Sequence, residues 1–435
     1  MVSRIVRLTA FSLCIGSLLL AQNEDGYNSN ERILKIRELG KKGSTAIPVL
    51  AQYSNDPNRD IRIEAVKAIV KIGTERSLDP LVQATHDKDE DVEIRATDGL
   101  VNYYSPGYLA RGGLTGAMTR GVRQVKGFFY ARNDRVVEPD VQIRPDVAQA
   151  ISDVVTGGAS FAARANAALA AGILRDRAAL PALEQALHAK DSDLIFESLI
   201  ALQKVHEPSA GTEVGFLAHD LDDRIQSTAL ETIGVLRSVP SAPNVRLAFQ
   251  SARNLKIRRA ALQALAVLGQ PDDRPVFLKY ADDRDVDLRA SALEGLGRVR
   301  EPQDFPTLEN AFDEGEIHWR IHLAAAFAMV NEGKVDDSEF SPLPYLVESL
   351  RTKARADTAT VYLTELAVHL EVVKALIKMM PELDRDQKVA FCTILANAPD
   401  PDAASALSVL AKDVDPNVAL AASKALRIQQ TRKSS

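Results

Sequence analysis

The stretch Asp285-Val286-Asp287-Leu288-Arg289-Ala290-Ser291-Ala292-Leu293-Glu294-Gly295-Leu296-Gly297 decides the fold of this 435-residue chain. An acidic turn leads into a segment in which small residues and leucines recur three and four positions apart, the mark of one apolar helical face. Slid along the chain, the pattern recurs with helix starts at Ala163, Leu194, Ile225, Ile257, Leu288 and Trp319, so the gaps are 31, 31, 32, 31 and 31 residues. A fixed period of this length signals stacked repeats.

Each unit has a second half in the same register. A proline follows the start by 18 or 19 residues: Pro80 after Ile61, Pro181 after Ala163, Pro275 after Ile257 and Pro306 after Leu288. Proline is tolerated in the first turn of a helix, where its missing N–H has no partner to lose. Every unit therefore reads as a first helix, a short turn, a second helix and a return turn. The return turns, such as Asp56-Pro57-Asn58, Asp191-Ser192-Asp193 and Asp282-Asp283-Arg284-Asp285, supply good caps for the next first helix.

An acidic turn followed by Val, Ile or Leu, then Arg and a small-residue helix, resembles the HEAT repeat, in particular the short bacterial form first associated with phycobilisome lyases. Asp60-Ile61-Arg62, Asp91-Val92-Glu93-Ile94-Arg95 and Asp285-Val286-Asp287-Leu288-Arg289 carry the resemblance. It implies an all-α, right-handed α-solenoid, a superhelix of stacked HEAT-like helical hairpins, over residues 31–430 as one domain, with 431–435 as a tail. Stacking would align the turn acids with Arg62, Arg164, Arg258, Arg289 and Arg320 in a ladder. The repeat weakens around Arg351 to Lys378.

Composition suits a thin core: 46% of residues are hydrophobic but only 5% aromatic, so alanine and the branched aliphatics must fill it. The first 21 residues form a separate object. Arg4 and Arg7 precede an apolar run from Leu8 to Leu20, followed by Ala21-Gln22 and a polar linker over 22–30, the layout of a secretory signal peptide. Cleavage after Ala21 would move the formal charge from −6 to −8 by removing the two arginines. It would also remove Cys14, leaving Cys392 on a first-helix face, where a buried small apolar role outweighs a reactive one.

One unit breaks the rule. Its first helix ends near Tyr103 and its second begins at Pro145, so residues 104–144 form an insertion in a turn that elsewhere takes about five residues, as from Gly73 to Ser77. From Ser105 to Arg144 the insertion carries seven Lys or Arg against three Asp or Glu, unlike the acidic remainder. Three readings stand open. The insertion folds back over the repeats, or it binds a protein partner, with Phe128, Phe129 and Tyr130 as anchors and Arg120, Arg123 and Lys126 as a charged rim. The third is attachment to an anionic surface such as lipid headgroups, a peripheral membrane contact. A smaller insertion, Asn331 to Phe340, delays Pro344 in the unit that starts at Trp319.

Catalytic and metal patterns are thin. His318 and His322 stand four apart on one helical face, but no third ligand is suitably spaced. Asp87-Lys88-Asp89-Glu90-Asp91 mimics the first half of a calcium loop, yet Val92 stands where glycine is needed, so these acids are read as helix caps and arginine partners. Iron-dependent HEAT-like oxygenases use several His-Glu pairs, and here only His206-Glu207 occurs. No phosphate-binding or nucleophile motif is present. The resulting expectation is a non-catalytic scaffold without cofactor or metal, located in the periplasm, cell envelope or outside the cell, that binds a protein and not nucleic acid. The alternatives are a metal-dependent oxidoreductase or lyase relative and a purely structural envelope component.

Overall fold

The computed structural model describes residues 28–109, 136–138, 141–314 and 318–434. All regular elements among them are helical. In chain order they are α1 (28–40), α2 (Ile47–Tyr53), α3 (Arg59–Ile72), α4 (Leu78–Ala84), α5 (Glu90–Tyr104), α6 (Pro145–Gly157), α7 (Phe161–Leu174) and α8 (Leu180–Ala186). There follow α9 (Ser192–Val205), α10 (Asp223–Val235), α11 (Ala242–Gln250), α12 (Leu255–Leu268), α13 (Arg274–Tyr280), α14 (Val286–Val299) and α15 (Phe305–Asp313). The last are α16 (Trp319–Asn331), α17 (Pro342–Glu348), α18 (Lys353–Leu366), α19 (Leu370–Met379), α20 (Arg385–Asn397), α21 (Pro401–Leu410) and α22 (Pro416–Ser434).

The described residues fall into two compact units. The first comprises 28–109 and 143–201, and the second comprises 136–138, 141–142 and the chain from 202 onward. Within the first unit α3 packs on α5 and α5 on α7. Within the second, the long first helices stack in series: α10, α12, α14, α16, α18, α20 and α22. The shorter second helices flank them, as α11 flanks α12 and α13 flanks α14. This is the stack of helical hairpins that the 31-residue period implies.

The turn chemistry explains where the helices begin. Asn58, Asp89, Ser160, Asp222, Asn254, Asp285 and Asp384 accept hydrogen bonds from first-turn N–H groups. Each such cap is worth about 1 kcal/mol. The cap also fixes the register, since the third residue after it, Val92, Ala163, Ile225, Ile257 or Leu288, is the first buried one. At α16 the cap is His318, so the buried position falls on Ile321 and not on Trp319. The preceding second helix, α15, has nine residues where α13 has seven, and these two extra residues shift that unit. Likewise Pro342, not Pro344, opens α17.

The short turns between paired helices are 3-10 turns running straight into the second helix, as at Glu75–Ser77, Arg177–Ala179, Pro271–Asp273 and Pro302–Asp304. In the unit of α9 the second helix is absent, replaced by two 3-10 turns, Pro208–Gly211 and Gly215–His219. Its glycines disfavour a continuous helix. Cys392 is buried, and burial pushes its thiol up to about 11, which keeps it protonated and inert at neutral pH.

Six of the first helices end on a left-handed residue: Gly73 (φ 59°), Arg175 (53°), His206 (57°), Arg237 (50°), Gly269 (59°) and Arg300 (61°). Arginine and histidine tolerate this conformation at some cost. Glycine is required at 269, where an added Cβ would lie 2.8 Å from Cβ of Arg298. In urea unfolding, Gly269→Ala is expected to lower stability by about 1–2 kcal/mol, whereas Arg300→Gly is expected to cost nothing. Equal losses would refute this account of the turn.

Candidate functional site

The sequence-based anchors Arg120, Arg123, Lys126, Phe128, Phe129 and Tyr130 lie outside the described residues. What is described of the insertion is its base and a short later piece. Tyr104 Oη accepts from the Arg144 N–H at 3.1 Å, and the Arg144 guanidinium donates to Asp79 Oδ1 at 2.7 Å. Val137 is buried, and Glu138 pairs with Lys424 of α22 at 2.7 Å.

The arginine ladder exists, with different membership. Arg62 holds Asp87 with two hydrogen bonds, 2.7 and 3.0 Å, and Arg320 pairs with Asp287. Arg258 is exposed, and its neighbour Arg259 takes the rung to Asp285. Arg289 donates to Glu314 at 2.8 Å. Among the described residues Arg164 has no acidic partner of this kind, and it donates to the carbonyl of Val155 at 2.9 Å. Such part-exposed pairs contribute roughly 0–1 kcal/mol each and act mainly on register. The acids of the calcium-like stretch are committed as the sequence suggested: Asp87 to Arg62, Asp89 to the α5 cap, and Asp91 to Arg59.

The two histidines do not work as a pair. His318 Nδ1 caps α16, while the His322 ring lies between Phe312 and Tyr345, with ring centroids 4.3 and 4.1 Å away. Among the described residues no group of three His, Cys, Asp or Glu side chains converges as a metal site would need. No described helix is long and apolar enough to cross a membrane.

Two clusters stand out. In the second unit the ends of α10, α14 and α18 converge on Glu365. Arg298 donates to both its oxygens at 2.9 Å, and Arg237 reaches it at 2.8 Å. Arg298 also bonds Glu294, which accepts from Gln263 at 2.9 Å and from the Tyr362 hydroxyl at 3.0 Å. Phe327 stacks on Tyr362 and lies beneath the Arg298 guanidinium. Burial works against the charge of Glu365, but the Arg298 hydrogen bonds and the charges of Arg298 and Arg237 outweigh it and hold the carboxyl below its ordinary range. Every charge here has a partner, so the cluster is a structural pin. Sequence reading missed it because Tyr362 and Glu365 lie where the repeat fades. Glu294 and Arg298, four apart on an otherwise small-residue helix, were the available signal.

The second cluster, in the first unit, is open. A cleft of about 360 Å³ lies between the turn at Thr85 to Lys88, the start of α5 and the end of α6 with the turn at Ala159. Glu93, 3% exposed, lines it and accepts one hydrogen bond, from the Ala159 N–H at 2.8 Å. Burial pushes the Glu93 carboxyl up; the Ala159 N–H opposes this and nearby Asp87 adds to it.

Fold and turn chemistry thus define an α-solenoid class of protein, built from helical hairpins that share their interiors. The family model described as HEAT repeats matches residues 17–100 and 242–330, and the chain carries HEAT repeats at both stretches. No curated protein matches the chain. Among solved structures, the CpcE–CpcF complex of phycocyanin lyase from Nostoc sp. PCC7120 is similar at 17% identity, over 57% of this chain and 94% of that one, with a TM-score of 0.39. Importin beta is similar at 12% identity over 90% of this chain and 58% of its own, with a TM-score of 0.44. Human deoxyhypusine hydroxylase is similar at 18% identity, over 58% and 96%, with a TM-score of 0.28. At such scores these similarities carry no argument about function.

Two variants test the clusters. Removing one partner of a buried, bonded charge set costs about 3–5 kcal/mol, so Glu365→Gln is expected to lower stability by about that much at pH 7. The folded carboxyl titrates below its ordinary 4.5, so the stability it contributes is present above that pH and lost as pH falls through the lower folded value. Stability differences that do not shrink on acidification would contradict the pin. For Glu93 the sign is opposite: its folded value is raised, so the ionised form destabilises the fold. Glu93→Gln is expected to raise the melting temperature at pH 7 by a few degrees, with the gain vanishing below the ordinary 4.5.

Proposed function

We propose that this chain is a non-catalytic protein-binding scaffold of the periplasm or cell envelope. HEAT repeats at two separate stretches support the binding role. The observation that carries it is the exposure of large apolar side chains on successive second-half segments of the second unit: Phe216 at 45%, Leu247 at 53% and Leu278 at 38%. Side chains of this kind lose free energy by staying in water, and apolar patches rimmed by polar residues mark docking surfaces. In the same unit the Glu365 cluster is mutually satisfied, which favours a structural part for it over turnover. Export is supported by the Arg4, Arg7 and Leu8-to-Leu20 pattern, and the basic insertion, with Phe128, Phe129 and Tyr130, is the second contact element.

Envelope cross-linking with the full chain, compared with Leu247→Asp plus Leu278→Asp, tests the surface. The double variant is expected to keep its melting temperature and lose at least tenfold in yield of the specific adduct, while unchanged yield removes this surface from the binding role. Replacing Arg111 to Arg135 by a short linker tests the insertion in the same assay. Cell fractionation with N-terminal sequencing is expected to find an exported protein beginning at Gln22, and a cytoplasmic chain with an intact N-terminus contradicts export.

A further inference from the structure

In four of the first helices the position one residue after the first buried residue has the same task, whereas α9 has Ile195 there, α12 the exposed Arg258 and α16 His322. Arg62 donates to the carbonyls of Asp56 and Pro57, Arg164 to that of Val155, Gln226 to that of Ala218, and Arg289 to that of Ala281. The acceptors close the preceding second-half segment, whose last carbonyls lack helical partners. In Gln226 and Arg289 the reach is eight residues back. The corresponding residue of α5 is Glu93, and eight residues before it stands Thr85. A carboxylate has no hydrogen to offer that carbonyl. Where neighbouring repeats hold a guanidinium or amide, this one has the cleft, with Thr85 and Glu93 both in its wall. The register of the cap at Asp89 puts Arg95, the arginine that closes the motif Asp91 to Arg95, two residues too late for the task.

We propose that this cleft is a socket for an arginine side chain presented by a protein partner. Its guanidinium replaces the one the repeat lacks, pairing with the Glu93 carboxylate and donating to the turn carbonyl at Thr85. The volume of about 360 Å³ is at the small end of ligand pockets, about 300–1,000 Å³, and suits one side chain. The charges agree. Asp87 is already neutralised by Arg62, the exposed Asp153 accepts from the neutral Gln149 amide, and Lys88 and His86 complete the wall, so among the described lining residues Glu93 is the carboxylate buried without a salt-bridge cation. A planar fork of N–H donors meets a carboxylate and a carbonyl together, which an ammonium does less well. The socket rests on the scaffold reading and specifies one contact of it.

The test is a titration of the full chain with N-acetyl-arginine-N-methylamide, followed by amide NMR shifts, with the citrulline analogue as the uncharged control. Saturable shifts confined to residues 85–93 and 153–159 are expected with arginine, at least tenfold weaker with citrulline and in Glu93→Gln. A melting temperature no lower than wild type keeps that variant interpretable. Glu93→Arg restores the residue of the neighbouring repeats and is expected to fill the socket, abolishing the shifts in a folded protein. Absence of saturable shifts, equal binding of citrulline, or undiminished binding by Glu93→Gln each overturns the socket. Cross-linking to the partner that survives Glu93→Gln leaves the scaffold standing and removes the socket alone.

Discussion

No hairpin of this chain has an interior of its own. The first helices present alanine, glycine and leucine to one another so that their backbones approach closely. At Gly297 of α14 an added Cβ would lie 2.4 Å from the Cα of Ala328 on α16, so even one methyl group is excluded there. Ala229, Ala261 and Ala292 in successive helices are wholly buried in the same layer. Each interface is made by two neighbours, and the stability of such an array is a sum of local terms. Caps, 3-10 turns and arginine rungs serve this close stacking by holding adjacent helices to one register.

A protein built in this way writes its functional information as exceptions. Most positions of the repeat are occupied by whatever residue closes the local hydrogen-bond account: a cap at the start of the first helix, a donor to the preceding turn, a left-handed residue at the end. Glu93 is informative because it fails one of these tasks and is buried regardless. The Glu365 cluster is the opposite kind of exception. Ideal repeats touch only their neighbours, yet Arg237 and Glu365 are joined across several repeats of the second unit. Burying ions gains little net stability, so the cluster is better understood as fixing how closely those helix ends converge.

The period, the helix starts, the caps and the prolines of the second helices were legible in the residues, because local hydrogen bonding and apolar spacing act over a few positions. Trp319 was misplaced by two residues since the preceding second helix, α15, is two residues longer than α13 while the apolar pattern is unaltered. Arg258 was assigned the rung that Arg259 holds, because adjacent arginines on a helix differ by about 100° in direction, which only neighbouring helices can arbitrate. The cleft was invisible for a similar reason: Glu93 reads as one more acid in an acidic turn until its cap at Asp89 fixes the register.

The sequence by itself determined an array of helical hairpins, since the 31-residue recurrence combines helix caps, one apolar helical face and a first-turn proline in each unit, and its resemblance to HEAT repeats implied the stacking. Only the tertiary structure decided which charges meet. Arg298, Glu365 and Arg237 are far apart in the chain, and their pairing depends on the angles at which successive helices stack. Those angles follow from side-chain contacts between repeats, a property that no single repeat encodes.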